Sequence, residues 1–134
     1  MPERTASQSG HSILIIDDDA FLLDMYAVKF TQRGFQVSTS SGTLLALEKL
    51  RNGESADVIL VDLVMPAMDG FAFLEQLRKE KLVPDAIIIV LSNLGQKEDI
   101  DRSLRLGAAS HIIKASATPS EVVEQVLKEI KNKK

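Results

Sequence analysis

The sequence predicts an α/β fold, a doubly wound five-stranded parallel sheet with helices on both faces. Five short apolar runs, rich in Ile and Val, alternate with segments that have helical spacing. Such runs are typical of parallel strands that are covered on both faces. Strict alternation with connections of this length implies right-handed crossovers. The runs are SILIID (12–17), FQVSTS (35–40), DVILVD (57–62), AIIIVLS (86–92) and SHIIK (110–114).

Each predicted helix carries a stripe of apolar residues at helical spacing, which we expect to face the sheet. The stripes are Phe21, Met25 and Val28; Leu44, Leu47 and Leu50; Phe71, Leu74 and Leu77; Ile100 and Leu104; and Val122, Val126 and Ile130. Glycine is common at the position that follows the last turn of a helix, so glycines after the apolar stripes indicate helix ends. These glycines are Gly34, Gly53 and Gly107. Thr118 and Pro119 predict the start of the last helix, with Glu121 completing a capping box.

Composition indicates one soluble domain. The chain has 134 residues, 45% of them hydrophobic and 26% charged, which suits a single core. We interpret residues 1–11 as a flexible lead-in without a secretory signal and residues 12–134 as the domain. No apolar run reaches the length of about 20 residues that crosses a bilayer. The absence of cysteine fits a reducing compartment, so we expect a cytoplasmic protein. The net charge of -3 argues against a surface that binds nucleic acid.

Charged and polar side chains cluster where the predicted strands end. The first run ends in Asp17, Asp18 and Asp19, and the third ends in Asp62. In a doubly wound sheet, ligands bind beyond the carboxyl ends of the strands. Carboxylates this close raise one another's pKa unless a cation lies between them, so we expect a divalent ion. Mg²⁺ suits a small, open acidic cluster better than Ca²⁺ does.

Each of these residues also has a simpler interpretation. Asp18 or Asp19 could be the N-cap of the first helix. Asp62 could cap the loop that follows it, and Ser92 could bond to nearby backbone. Lys114 could be a solvated strand terminus. A single helix needs only one capping residue, however, whereas three aspartates follow the first strand. Each simple interpretation can explain its own residue, but together they do not explain why all these residues occur at strand ends.

The spacing of these residues resembles the receiver domain of two-component response regulators, of the chemotaxis-regulator type. The resemblance rests on the pair Asp17–Asp18, the motif DLVMPAMDG (62–70), Ser92 and Lys114, and it extends from about Ile13 to Ile130. It implies the flavodoxin-like fold with strand order 2-1-3-4-5. It also implies that Asp62 accepts a phosphoryl group from a sensor histidine kinase or a histidine phosphotransfer protein.

The resemblance further implies the roles of the surrounding residues. Mg²⁺ would be held by Asp17, Asp18, Asp62 and the backbone carbonyl of Val64. The Lys114 ammonium would neutralise charge on the phosphoryl oxygens.

The resemblance makes Ser92 a switch residue whose hydroxyl bonds a phosphoryl oxygen. His111 stands where the family usually has an aromatic switch residue, so it is either a second switch or a half-buried histidine at the rim. As a switch it would respond to pH between about 5.5 and 7.5, with activation weakening as the ring becomes charged. Ala115 follows Lys114 where the family mostly has proline, and we therefore expect a trans peptide bond there. Asn93 replaces a smaller residue, which would narrow access to the site.

The leading hypothesis is a receiver that switches protein–protein contacts and catalyses only its own phosphorylation and dephosphorylation. Candidate partners beyond the kinase are a phosphatase and a second copy bound through the fourth helix, fifth strand and fifth helix; we expect no membrane or nucleic-acid contact by this domain. The alternative is a degenerate receiver that binds without phosphorylation. A flavodoxin-like enzyme lacks support, because no Gly-rich phosphate loop occurs. No effector domain follows Lys134 in this sequence, so we expect either a stand-alone receiver or a receiver excised from a larger regulator.

We predict a long-lived phosphoryl group on Asp62. The family's side chains two positions after the Asp and two after the Ser flank the path of the hydrolytic water, and here these are Val64 and Leu94. Neither can orient a water molecule, so dephosphorylation should be about tenfold or more slower than with polar groups there. Loss of label from the phosphoprotein should be compared with Val64→Asn and Leu94→Glu. Equal rates in all three proteins would contradict the prediction.

Overall fold

The computed structural model describes residues 10–63, 69–93 and 96–133, and within them it shows five strands and five helices in strict alternation. The strands are β1 (Ser12–Ile16), β2 (Gln36–Ser40), β3 (Val58–Asp62), β4 (Ile87–Ser92) and β5 (Ser110–Ile113). The helices are α1 (Ala20–Gln32), α2 (Thr43–Arg51), α3 (Gly70–Glu80), α4 (Lys97–Arg105) and α5 (Pro119–Asn132), and a short 3₁₀ helix spans Lys114–Ser116. All strand pairs are parallel, in the order β2-β1-β3-β4-β5. The predicted fold class and strand order are confirmed.

The sheet is buried on both faces, which explains its continuous apolar runs. Alternate residues of β1 point to opposite faces, so that Ile13 and Ile15 pack with α1 and α5, whereas Leu14 and Ile16 pack with α2 and α3. All five residues of β3 are buried. Covering both faces of a parallel strand removes every polar position from its interior. The charge of Asp62 is therefore confined to the end of β3.

Helix α1 packs on the sheet through a different stripe from the one that its spacing predicted. Its buried residues are Leu23, Tyr26 and Phe30, whereas Phe21 is 71% exposed and Val28 is 54% exposed. The helix is apolar around most of its circumference, so periodicity alone did not identify the inner face. The prediction that Phe21 and Val28 face the core is wrong.

The remaining stripes are confirmed in α3 and in most of α5, and only in part elsewhere. Leu44 of α2 and Leu104 of α4 are exposed, at 53% and 45%. Ser103, a polar residue, occupies the buried position of α4 instead. The predicted glycine helix ends are confirmed, since Gly34, Gly53 and Gly107 all have positive φ.

No helix in the described part of the chain combines the length and apolar character needed to span a bilayer.

The start of α5 provides a test of the capping prediction, because both capping-box hydrogen bonds form there. The Glu121 amide donates to Thr118 Oγ1 at 3.2 Å, and the Thr118 amide donates to Glu121 Oε1 at 2.8 Å. Thr118→Ala should lower the free energy of unfolding by about 1 kcal/mol, measured by urea denaturation. Ser120→Ala, at an exposed neighbouring position, should change it by less than about 0.5 kcal/mol. Equal losses in both variants would show that the cap does not stabilise the helix.

Candidate functional site

The parallel register gathers the predicted site residues at one edge of the sheet. Asp17 directly follows β1, Asp62 ends β3 beside Leu91, and Ser92 ends β4 beside Ile113. Lys114 follows β5 and begins the 3₁₀ helix. Because Ile16 pairs with Val61 and Asp62 pairs with Leu91, the strands reach this edge at nearly the same level and their terminal side chains lie close together. The strand ends predicted that the carboxylates would share one edge, and the family resemblance added Ser92 and Lys114 to the same site.

Lys114 bridges the two buried carboxylates of this edge. Its Nζ donates to Asp17 Oδ2 at 2.9 Å and to Asp62 Oδ2 at 3.1 Å. The residue exposures of Asp17 and Asp62 are 0% and 3%, and the Lys114 side chain is 9% exposed. Lys114 is therefore an internal cation rather than a solvated strand end.

The pKa of Lys114 reflects these contacts. Burial lowers it, but the hydrogen bond to Asp17 and the charge of Asp62 outweigh burial and raise it above the usual 10.5. The ammonium thus stays charged throughout the physiological range, and its stabilising contribution is present below pH 10.5 and lost only as pH rises through the higher folded-state pKa.

Three carboxylates could hold a divalent cation here. One oxygen from each of Asp17, Asp18 and Asp62 lies within 4.8 Å of the others, and Asp18 is exposed whereas the other two are buried. Among the described residues, the ammonium that contacts this cluster is that of Lys114, so three carboxylates share one neutralising contact. An all-oxygen, partly open site of this kind fits Mg²⁺, which takes few carboxylates and keeps several waters. Val64, whose carbonyl was predicted as a further ligand, lies outside the described residues.

Asp19 differs from its two neighbours, because it caps α1. Its Oδ1 accepts from the Leu22 amide at 3.1 Å, and its own amide donates to Asp17 Oδ1 at 2.9 Å. The simple capping interpretation is therefore correct for Asp19. The same turn orients Asp17, since one of its oxygens is fixed by the Asp19 amide and the other by Lys114.

Ser92 forms a hydrogen-bonded chain with His111 and Ser103. Ser92 Oγ lies 2.7 Å from His111 Nε2, and Ser103 Oγ lies 3.1 Å from His111 Nδ1. Burial lowers the pKa of His111 below its usual 6.5, and the charge of Asp99 partly opposes this. Both predicted switch residues are thus in direct contact. The sequence did not identify Ser103, whose signal is a small polar residue at the inward position of α4.

Two further predictions concern the peptide bond after Lys114 and the neighbouring residue Asn93. The peptide bond between Lys114 and Ala115 is trans, as expected. Asn93 is exposed beside the site.

The pKa of the buried residue Tyr26 depends on the charges of the site, although the sequence did not predict Tyr26 to lie near it. Burial raises the pKa of Tyr26, Lys114 opposes the rise, and the Asp17 charge adds to it.

Comparison with known families and proteins gives one consistent result. The model of the response regulator receiver domain family matches residues 13–127. The phosphate regulon transcriptional regulatory protein PhoB of Escherichia coli (strain K12) is 31% identical over 114 residues, which are 85% of this chain and 49% of PhoB. The probable transcriptional regulator ycf27 of Cyanidium caldarium is 31% identical over 134 residues, 98% of this chain and 52% of that protein. The chain therefore spans about half the length of these relatives.

Solved structures agree with the sequence comparison. A CheY-like response regulator receiver domain protein from Methanospirillum hungatei JF-1 superposes with a TM-score of 0.81 at 27% identity, covering 92% of this chain and 95% of that one. The receiver domain of the Francisella response regulator 1452 gives a TM-score of 0.81 at 28% identity, covering 92% and 99%.

Gly70 allows the first turn of α3 to lie against the end of β3. A Cβ there would lie 2.8 Å from both the Asp62 carbonyl oxygen and the Leu63 Cα, which are backbone atoms that cannot move aside cheaply. Gly70→Ala should lower the free energy of unfolding by about 1–3 kcal/mol, measured by urea denaturation. In the control Gly42→Ala, the new Cβ meets nothing within 4 Å, and the loss should be clearly smaller. A Gly70→Ala variant as stable as the wild type would refute the close approach.

Proposed function

Because this chain belongs to the response regulator receiver domain family of two-component systems, we propose that it accepts a phosphoryl group on Asp62 and thereby switches its contacts with other proteins. The donor is the phosphohistidine of a sensor histidine kinase or of a histidine phosphotransfer protein. An Asp62 oxygen attacks the phosphorus and the phosphorus–nitrogen bond breaks. The leaving imidazole nitrogen keeps the bonding pair, which yields an aspartyl phosphate.

The observation that carries this proposal is the pairing of a buried carboxylate with a fixed ammonium. Asp62 Oδ2 accepts from Lys114 Nζ at 3.1 Å, and Asp17 holds the same ammonium from the other side at 2.9 Å. Phosphoryl transfer needs little covalent help from a protein; it needs positioning and compensation of the charge on the phosphoryl oxygens. Lys114 supplies a cation that is already in place, and such preorganised charge requires no rearrangement during the reaction.

Mg²⁺ is part of the same proposal. Bound by Asp17, Asp18 and Asp62, it would supply a second positive charge for the phosphoryl oxygens. The three carboxylates that lie within 4.8 Å of one another support this assignment. Asp17 would keep its orientation through the Asp19 amide, and Asp18, which is exposed, would be the ligand nearest to solvent.

The output of the switch is a change of partner. The groove between β5 and α5, lined by residues that include His111, Glu121, Glu124 and Lys128, belongs to the face through which a second copy could bind. A phosphatase is a further candidate partner, and the chain itself catalyses only its own phosphorylation and dephosphorylation. The relatives named as transcriptional regulators are about twice as long as this chain, and the proposal is confined to the receiver.

The alternative is a degenerate receiver that binds partners without being phosphorylated. Loss of one of the acidic residues or of the lysine would favour it, but Asp17, Asp18, Asp62 and Lys114 are all present and close together. Phosphorylation is therefore the better-supported function, and one experiment distinguishes the two.

We predict that a small phosphodonor such as acetyl phosphate labels Asp62 alone, and only when Mg²⁺ is present. Asp62→Asn should abolish the label, because its amide is not a nucleophile. Lys114→Met should reduce labelling by at least about tenfold, the effect of losing roughly 1.4 kcal/mol of transition-state stabilisation. The measurement is intact mass, followed by peptide mapping of the modified residue.

Asp19→Asn is the matched control for these variants. It removes a neighbouring carboxylate but keeps a good N-cap, so labelling should stay within about twofold of the wild type, far from the effects of the other variants. A phosphate found on another residue, or labelling that persists in Asp62→Asn, would reject the proposal and leave the degenerate receiver.

A further inference from the structure

The chain Ser92–His111–Ser103 fixes where the hydrogens of the imidazole lie. Ser103 has one hydroxyl hydrogen, and its Oγ lies 2.8 Å from the Ile100 carbonyl oxygen, which can only accept. That hydrogen is therefore given to Ile100, and the 3.1 Å contact with His111 Nδ1 requires a hydrogen on the ring nitrogen. These partners assign the Nδ1–H tautomer to the neutral ring.

The same assignment determines the direction of the Ser92 hydroxyl. With its hydrogen on Nδ1, the neutral ring presents Nε2 as an acceptor. The 2.7 Å contact between Nε2 and Ser92 Oγ is then a hydrogen bond that Ser92 donates. Because burial lowers the pKa of His111, the ring is mostly neutral near pH 7. In the unphosphorylated protein, the Ser92 hydroxyl therefore already donates its hydrogen to His111.

A phosphoryl group on Asp62 would compete with His111 for the hydroxyl hydrogen of Ser92. Phosphoryl oxygens only accept hydrogen bonds, so Ser92 can bind one only by donating the hydrogen that His111 now holds. The contact with Nε2 would then bring an oxygen lone pair against a nitrogen lone pair. A hydrogen on Nε2 removes this conflict, because the ring then donates to Ser92 while Ser92 donates to the phosphoryl oxygen.

We propose that His111 is a positioning residue that reverses the Ser92 hydroxyl by taking up one proton from solvent on Nε2 when Asp62 is phosphorylated. This inference rests on the proposed function. In the switched state the ring is an imidazolium that donates to Ser103 through Nδ1 and to Ser92 through Nε2. The bond from Ser103 to Ile100 is unchanged. Phosphorylation and proton uptake are therefore coupled, and each favours the other.

The charges around His111 are compatible with a cationic ring. On α4, the Asp99 carboxylate favours protonation of His111. On α5, Glu121, Glu124 and Lys128 line the same groove as His111, two acidic groups against one basic group. At the end of the neighbouring strand β3 lie the Asp62 carboxylate and the Lys114 ammonium that contacts it, and a phosphoryl group there would add further negative charge.

The first experiment reads the hydrogens directly, by nitrogen-15 NMR of the imidazole at pH 7 in the whole chain, before and after addition of beryllofluoride and Mg²⁺ as a phosphoryl mimic. We expect a neutral Nδ1–H ring in the free protein and an imidazolium in the bound one. An Nε2–H ring in the free protein, or a ring that remains neutral in the bound one, would overturn the proposal.

The second experiment measures the pH dependence of the affinity for beryllofluoride with Mg²⁺ between about pH 6 and 8, the range in which histidine titrates. Uptake of one proton predicts an affinity that rises as pH falls, by at most about tenfold per pH unit. His111→Phe should lack this dependence. The sequence alone led to the opposite expectation, that activation weakens as His111 becomes charged. An affinity that falls at low pH in the wild type but not in His111→Phe would show that this desolvation cost prevails, and would overturn the proposal.

Ser103→Ala tests the tautomer assignment. Without its acceptor, the ring no longer needs a hydrogen on Nδ1, so the free protein should show the Nε2–H tautomer. The mimic should then bind about fivefold more tightly at pH 8, the factor expected for one ordinary hydrogen bond, and without proton uptake. Ser110→Ala, next to His111 on β5, is the matched control and should behave as the wild type. A Ser103→Ala protein with the wild-type tautomer and affinity would count against the proposal.

Failure of the proposal can be distinguished from failure of the proposed function. Beryllofluoride that does not bind the wild type, or that binds Asp62→Asn equally well, would refute the phosphoacceptor function itself. Mg²⁺-dependent binding that Asp62→Asn abolishes, with no change at the His111 ring, would leave the function intact and reject only the coupling.

Discussion

The contact of one ammonium with two buried carboxylates is the constraint on which the site depends. Asp17 and Asp62 end neighbouring strands, and the Lys114 ammonium that contacts both offsets the repulsion between their buried charges. Removing one member of a buried, charged cluster costs more than the cluster contributes as a whole, because it leaves a desolvated charge unpaired. The contact of Lys114 with both carboxylates therefore holds the site together, and the proposed phosphoryl transfer would use the same ammonium. This contact requires β1, β3 and β5 to end at the same level of the sheet.

The sheet and the acidic cluster could be predicted from the sequence because both depend on local patterns. Buried parallel strands need unbroken apolar runs, and the apolar runs of β1, β3 and β4 stop at Asp17, Asp62 and Ser92. The carboxyl ends of parallel strands meet at one edge whichever residues they carry. These two facts place Asp17, Asp62 and Lys114 at one edge of the sheet, and the strand order brings them into one cluster. The strand order came from resemblance to a known family, because periodicity does not specify which strands are neighbours.

Other features could not be predicted, since they depend on packing between elements distant in the chain. Helix α1 is apolar on more than one side, and only its contacts with α5 and β2 decide that Tyr26 is buried and Phe21 is not. Ser103 escaped prediction because a serine in a helix has no distinctive spacing. Its role depends on a histidine eight residues later that faces it across the packing of α4 on β5. The three acidic residues after β1 were predicted as a group, but their different roles depend on the turn that they form.

That turn places three identical residues in three different environments, which should determine how each position varies among related chains. Asp17 is buried between two donors, Asp18 is exposed, and Asp19 serves as a backbone cap. For the proposed Mg²⁺ site, the first two positions need a carboxylate. The third needs only a short side chain with an acceptor oxygen, which serine, threonine and asparagine also provide. Natural variants should therefore exchange the third aspartate freely among these residue types while the first two stay acidic, even though a reader of the sequence sees three equal letters.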